Sequence, residues 1–185
     1  MDWCKKAQEF GFEHVGVVRA QDLECLPEVR DMCAAGRCGA FGTRWTCPPG
    51  CGSLEECAAR LKEYGEGVLV QSTGMLDAPF DADTMMVTER IHKERFAALA
   101  EAARAEEADC LPLGAGTCQL CAQCTYPDAP CRFPQRAVIS MEAFGLLVSS
   151  ACERAGVPYY YGPNTITYTS CVLFHGKCET DTPNG

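Results

Sequence analysis

The sequence has little positive charge and no long apolar segment. Lysine and arginine together number 16 against 25 aspartates and glutamates, which gives a net charge of -9. A surface of this sign repels phosphate backbones and anionic lipid headgroups, so we expect neither a nucleic acid nor a membrane as a partner. No stretch approaches the ~18 uninterrupted apolar residues of a membrane-spanning helix.

The sequence also lacks the apolar core of a secretory signal peptide near its first residue, which favours a cytoplasmic protein in a reducing compartment. The three histidines are isolated. No nucleophile–base order and no paired-carboxylate pattern is present. Gly114 and Gly116 precede a cysteine-rich run rather than a helix, so they do not indicate a nucleotide site. These absences leave open whether the protein is an enzyme.

Cysteine is what the sequence has in excess, with 15 residues among 185. Disulfides, metal sites and buried thiols are the three common explanations. An odd count, a chain longer than most disulfide scaffolds and the expected reducing compartment argue against disulfides. Clustered cysteines in such a compartment are better explained as metal ligands.

The periodicity of apolar residues predicts one α/β domain over residues 1–178, followed by a flexible tail over residues 179–185. Helices are predicted over residues 3–10, 26–32, 53–65, 83–109 and 140–156, and strands over residues 14–19, 67–72, 157–161 and 165–174. This alternation predicts a sandwich with a small mixed sheet. Two aperiodic, cysteine-rich segments interrupt it: loop 1 over residues 33–52 and loop 2 over residues 114–134. Within the last predicted strand, Val172 and Phe174 fall on one face and Cys171 and Leu173 on the other.

Loop 2 carries the most specific motif, C-x2-C-x2-C-x6-C, formed by Cys118, Cys121, Cys124 and Cys131. Three thiolates spaced in this way can wrap around a cubane within one tight loop, and a fourth closes the site, which predicts a [4Fe–4S] cluster. Zinc is the alternative, although structural zinc sites are more often built from two separated C-x2-C pairs. Arg132 follows the last cysteine, where its charge would offset that of a cluster, or, as the alternative, would pair with a carboxylate at the surface.

Loop 1 contains Cys33, Cys38, Cys47 and Cys51, whose spacing matches no standard cluster motif. We expect a second iron–sulfur cluster here, with zinc, a redox-active pair or a purely structural loop as alternatives. Trp45 is placed to shield such a site from water. Cys57 follows on the apolar stripe of the next predicted helix, and Cys152 lies on that of the helix over residues 140–156. We therefore expect both to be core thiols rather than ligands.

With both loops laid out, the chain resembles the predicted metal-binding proteins grouped as DUF2284. The resemblance rests on the segment that ends with Trp45, Thr46, Cys47 and two prolines, and on Cys131 followed by Arg132, Phe133 and Pro134 and then by the segment from Ser140 to Ala143. It implies metal binding by the matching cysteines and names no substrate.

The function that these patterns favour is electron transfer, in which one or two clusters pass single electrons to a partner redox protein. A small-molecule oxidoreductase is the second hypothesis, with a pocket lined by Trp45 and three consecutive tyrosines, Tyr159, Tyr160 and Tyr161. A zinc-stabilised binding module is the third. The sequence does not indicate an oligomeric state.

Overall fold

A mixed β-sheet forms the centre of the protein, in a computed structural model that describes residues 1–176. Five strands in this part of the chain make up the sheet: β1 (His14–Arg19), β2 (Tyr64–Met75), β3 (Cys110–Gly114), β4 (Ile139–Ser140) and β5 (Thr165–His175). Their order across the sheet is β1-β2-β5-β3-β4. All neighbours are antiparallel except β3 and β4, which run parallel.

Helices cover both faces of the sheet. Residues 1–176 contain six α-helices: α1 (Trp3–Glu9), α2 (Pro27–Ala34), α3 (Leu54–Leu61), α4 (Ala82–Glu106), α5 (Met141–Phe144) and α6 (Val148–Arg154). The start of α3 is fixed by a capping box, in which the Ser53 hydroxyl accepts from the Glu56 N–H and the Glu56 carboxylate accepts from the Ser53 N–H. The predicted α/β class and single domain are confirmed.

Side chains alternate along the strands and so build two separate cores. Val172 and Phe174 of β5 point to the layer of α1 and α4, where they pack with Phe96 and Leu99. Cys171 and Leu173 point to the opposite layer, which also holds Cys57, Leu61, Phe144 and Cys152 from α3, α5 and α6. The predicted partition of β5 into two faces is therefore confirmed, and so is the prediction that Cys57 and Cys152 are core thiols.

Loop 2 connects the two parallel strands. Parallel neighbours cannot be joined by a tight turn and need a crossover of about a dozen residues or more, most often a helix. Here the cysteine-rich segment after Gly114 makes that crossover and returns at Ile139, which pairs with Leu113. Both ends of loop 2 are thus held at one edge of the sheet.

Two sequence-based predictions of secondary structure are wrong. Residues 157–161 do not form a strand. The helix expected over residues 140–156 is divided into α5 and α6, because Gly145 takes a left-handed conformation with φ of 103° and ends α5. Residues 177–185, which include Cys178 and the predicted tail, lie outside the described residues. Within residues 1–176, no helix combines the length and apolarity needed to cross a membrane.

Candidate metal centre

The four cysteines of loop 2 line one small cavity. Cys118, Cys121, Cys124 and Cys131 surround it together with Leu120, Thr125 and Arg132 from the same loop and with Arg44, Trp45, Thr46 and Phe133. All four thiols belong to half-buried residues. The geometry therefore brings the predicted ligands of loop 2 to a common space just below the surface.

Internal hydrogen bonds give loop 2 its shape. The Thr125 hydroxyl donates to the Pro130 carbonyl at 2.8 Å, and the Ala129 N–H donates to the Thr125 carbonyl at 3.0 Å. Arg132, predicted to face a cofactor, donates to the Gln123 carbonyl at 2.8 Å and also lines the cavity. These bonds fold the six residues between Cys124 and Cys131 into a turn that brings the last thiol back to the other three.

Cys124 lies in an environment that favours its thiolate. Burial by itself would raise the pKa of this thiol. The backbone N–H groups of Tyr126 and Trp45, the charge of Arg44 and the Thr125 N–H outweigh burial, so the pKa of Cys124 is lowered. Because the thiolate is the form that binds metal, this environment suits a ligand.

The thiols of loop 1 influence one another electrostatically. Burial raises the pKa of Cys33, and the charge of Cys38 adds to the effect. Burial likewise raises the pKa of Cys47, with Cys38 and Cys33 contributing in the same direction while Thr46 and Arg44 oppose it. These thiols therefore disfavour one another's ionisation, a repulsion that a bound metal ion would relieve.

Cys51 joins this group from one side. Burial raises its pKa to about 11, Arg30 opposes the change, and Cys57 and Cys47 reinforce it. Cys57 therefore lies beside a predicted ligand as well as in the core, and Arg30 donates to the Cys57 sulfur at 3.1 Å. A role for Cys51 as a ligand stays a prediction, as it does for the other cysteines of both loops.

The floor of loop 1 is the segment that follows loop 2. The Cys33 thiol lies 3.9 Å from the Glu142 carbonyl oxygen, and the Cys51 thiol lies 3.5 Å from that of Ala143. Both carbonyls belong to α5, which begins where β4 ends. The segment that follows loop 2 therefore forms the floor of loop 1.

Arg44 and Trp45 join the two loops into one unit. The Arg44 guanidinium donates to the Cys118 carbonyl at 3.0 Å, and the Trp45 indole N–H donates to the Ala129 carbonyl at 3.0 Å. The Trp45 ring also meets Tyr126 edge to face, with 4.9 Å between ring centroids. The sequence analysis predicted a shielding role for Trp45 but missed Arg44, although the argument applied to Arg132, a cation beside a cysteine run, would have identified it.

The pocket predicted between Trp45 and the three tyrosines does not form. Tyr161 stacks on His14 at 4.2 Å and donates a hydrogen bond to Gln71, which places it by β1 and β2. Trp45 packs on loop 2, at the opposite edge of the sheet. Tyr159 and Tyr160 are largely exposed.

Among residues 1–176, no cysteine forms a disulfide. No group of three or more histidine, cysteine, aspartate or glutamate side chains in that range is arranged to hold a single metal ion. The donor set nevertheless fits an iron–sulfur group, because four thiols share a cavity that backbone N–H groups and guanidinium groups surround.

Comparison with known proteins gives a family and no individual relative. No curated protein and no solved structure matches the chain. A family model described as predicted metal-binding protein (DUF2284) matches residues 16–174, a range that includes the whole of both loops. The chain therefore belongs to the DUF2284 family of predicted metal-binding proteins.

Proposed function

We propose that the chain is an iron–sulfur protein of the cytoplasm that carries single electrons to a partner redox protein. Cys118, Cys121, Cys124 and Cys131 hold a [4Fe–4S] cluster in this proposal. The observation that carries it is the common cavity of these four thiols. When bound, a cubane would supply one-electron reduction and oxidation.

The charges around the cavity support this assignment. Four thiolates give a metal site a large negative charge, which makes it harder to reduce unless positive groups lie nearby. Arg44 and Arg132 both line the cavity of loop 2. The N–H groups around Cys124 lower the pKa of its thiol, and N–H groups that donate to cluster sulfurs tune cluster potentials.

The position of the site suits exchange of electrons with another protein. The four cysteines are half-buried, so they lie close to the surface while Trp45 and Phe133 cover the cavity. A larger open cleft of about 780 Å³ adjoins Cys131 and Trp45. A partner that occupies this cleft would approach the site at its fourth thiol.

Loop 1 is the proposed place of a second cluster, held by Cys33, Cys38, Cys47 and Cys51. Its support is that the Cys33 and Cys51 thiols both lie against α5, at the adjacent carbonyls of Glu142 and Ala143. The electrostatic influence of the loop 1 thiols on one another agrees with this. Arg44 acts on Cys47 of loop 1 and on Cys124 of loop 2, so one cation serves both groups. Zinc in either loop is the alternative, and it would make the protein a binding module without redox activity.

A second candidate function is reduction or binding of a small molecule at the protein's own cluster. One observation favours it: a separate cavity of about 340 Å³ shares Cys118 with the cavity of loop 2. A molecule in that cavity would lie beside the first cysteine of the motif.

The test is purification of the full chain without oxygen, followed by analysis of iron, acid-labile sulfide and zinc and by an optical spectrum. We expect iron and sulfide in equal amounts and a broad visible absorption that dithionite bleaches. Colourless protein with stoichiometric zinc would support the binding module and exclude the electron carrier.

Substitution of one cysteine distinguishes a protein with one cluster from a protein with two. Cys121→Ala should remove about half of the iron if both loops hold clusters, and nearly all of it if only loop 2 does. Cys4→Ala is the matched control, because Cys4 lies in α1 and packs against the core on the side of α1 and α4. The iron content of this variant should equal that of the unmodified chain. Full iron in Cys121→Ala would remove Cys121 as a ligand.

A further inference from the structure

The cavity beside Cys118 has features of a binding site for a small molecule. It lies between α4, the end of β3 and the first residues of loop 2, and its volume of about 340 Å³ is in the range of ligand pockets. Cys118 is the one cysteine that lines it, together with Gly114 and Gly116. We name this space the α4 cavity.

Two buried polar residues, Ser170 and His92, form the inner end of the α4 cavity. His92 accepts or donates at both ring nitrogens, with Nδ1 3.0 Å from the Ser72 hydroxyl and Nε2 2.7 Å from the Ser170 hydroxyl. His92 and Ser170 are fully buried, at 0% exposure. A polar pair is therefore buried at the end of this cavity, where an apolar side chain would avoid the free-energy cost of burying polar groups.

Apolar side chains form the walls. Phe96 comes from α4, Leu120 from loop 2 and Val138 from the segment before β4. At Gly114 an added Cβ would lie 3.2 Å from Val138 and 3.8 Å from Phe96, so glycine keeps the cavity open at the strand end. Walls of this kind accept the carbon body of an organic molecule.

The rim carries a local excess of positive charge in an acidic protein. Arg90, Lys93 and Arg136 line the cavity, whereas Glu94 is the one carboxylate that does so. Arg90 pairs with Glu94 at 2.9 Å and Lys93 pairs with Glu89 at 2.6 Å. None of the ion pairs within residues 1–176 involves Arg136, whose guanidinium lies over the Phe133 ring. Arg136 is thus the cation that remains available to a ligand.

We infer that the α4 cavity binds a small organic carboxylate, with its charge at Arg136 and its apolar body between Phe96, Leu120 and Val138. The Ser170 hydroxyl, held by its hydrogen bond to His92, closes the inner end of the cavity. The ligand lies beside Cys118, so this inference goes beyond electron transfer and gives the chain a small-molecule site next to its metal centre. It depends on the side chains of the cavity and stands whether loop 2 holds iron or zinc.

The experiment is calorimetric titration of the anaerobically purified full chain with benzoate, and with benzamide as the neutral analogue of the same shape. We expect saturable binding of benzoate and binding of benzamide about tenfold weaker or more, because a charge–charge contact with a guanidinium is lost. Equal affinity for the two compounds, or no saturable binding of benzoate, would overturn the inference.

Three variants locate the bound probe. Arg136→Gln should weaken benzoate binding about tenfold while leaving benzamide binding unchanged. Ala97→Phe places a ring at an exposed position of the cavity rim and should abolish binding of both compounds. Arg154→Gln, on α6 at the opposite face, is the matched control and should bind both as the unmodified chain does. Unchanged benzoate binding in Arg136→Gln and Ala97→Phe would overturn the inference. Iron analysis of the same samples tests the proposed function separately.

Discussion

Gly50 is the position where the packing of the two loops is most directly testable. An added Cβ would lie 2.6 Å from the Arg44 carbonyl oxygen, 2.9 Å from the Tyr126 ring and 3.1 Å from the Trp45 Cα. Ordinary carbon–oxygen contacts are about 3.3 Å or longer, so the methyl group of Gly50→Ala would overlap two backbone atoms that cannot rotate away. We expect a loss of about 1–3 kcal/mol in the free energy of unfolding, as for other overpacked sites.

Gly50→Ala should also disturb the contacts between the two loops. Because Tyr126 and Arg44 are the residues that must move, the Arg44–Cys118 hydrogen bond and the Trp45–Tyr126 contact should weaken. The assay is denaturant unfolding without oxygen, combined with the amount of bound metal per folded molecule. We expect both quantities to fall in Gly50→Ala.

Two further glycines serve as controls. Gly39 has φ of 66° and no atom within 4 Å of an added Cβ, so Gly39→Asn should cost little and leave the metal content unchanged. At Gly67 an added Cβ would overlap Val172 and Leu173 within the sheet, so Gly67→Ala should destabilise the fold without a specific loss of metal. If Gly50→Ala stays within about 0.5 kcal/mol of the unmodified chain and keeps all its metal, the close packing of the loops is wrong.

Three other predictions follow from the same contacts. Arg44→Gln removes a cation that acts on both loops. It should lower the midpoint potential by roughly 60 mV, one tenfold step of a one-electron couple, in a redox titration monitored by electron paramagnetic resonance. Arg154→Gln on α6 is the control, and an unchanged potential in Arg44→Gln would contradict this prediction. Burial, with Lys93 and Arg95, lowers the pKa of His92 from 6.5 to about 3. Between pH 6.5 and about 3, the unfolded chain therefore binds a proton at His92 that the folded chain does not, so the free energy of unfolding should fall as the pH drops below 6.5. The contribution of His92 is up to about 1.4 kcal/mol per pH unit and should be absent from His92→Gln. Identical pH profiles of the free energy of unfolding for the unmodified chain and for His92→Gln would refute this. Ser53→Ala removes half of the capping box of α3 and should cost about 1 kcal/mol in denaturant unfolding, whereas Ser149→Ala, within α6, should cost less.

Local patterns predicted most elements of the fold because they report local physics. The Ser53 and Glu56 pair fixed the start of α3, and the alternation along β5 gave the correct partition between the two cores. The misjudged segments are those in which a tertiary contact decides the outcome. Residues 157–161 look like a strand in sequence, yet the Tyr161 hydroxyl and the Pro158 carbonyl are bound instead by the buried Gln71 side chain.

The strand β3 was missed for a related reason. Pro112 lies in its middle and cannot donate a backbone hydrogen bond, which argues against a strand when the sequence is considered alone. In the sheet, all five residues of β3 are buried between β5 and the short β4. Pairing with the neighbouring strands, rather than the β-propensity of its own residues, makes this segment a strand.

The sequence by itself determined that the protein is an α/β domain with two cysteine-rich loops and that the thiols of loop 2 are spaced for a common site, because spacing within a few residues is a property of the local chain. The tertiary structure alone decided that the two loops form one unit. Arg44 and Cys118 are 74 positions apart in the chain, and Cys51 and Ala143 are 92 apart. They meet because the parallel pairing of β3 with β4 returns loop 2 to the edge of the sheet where α2, loop 1 and α5 are packed, and no local pattern of residues encodes that arrangement.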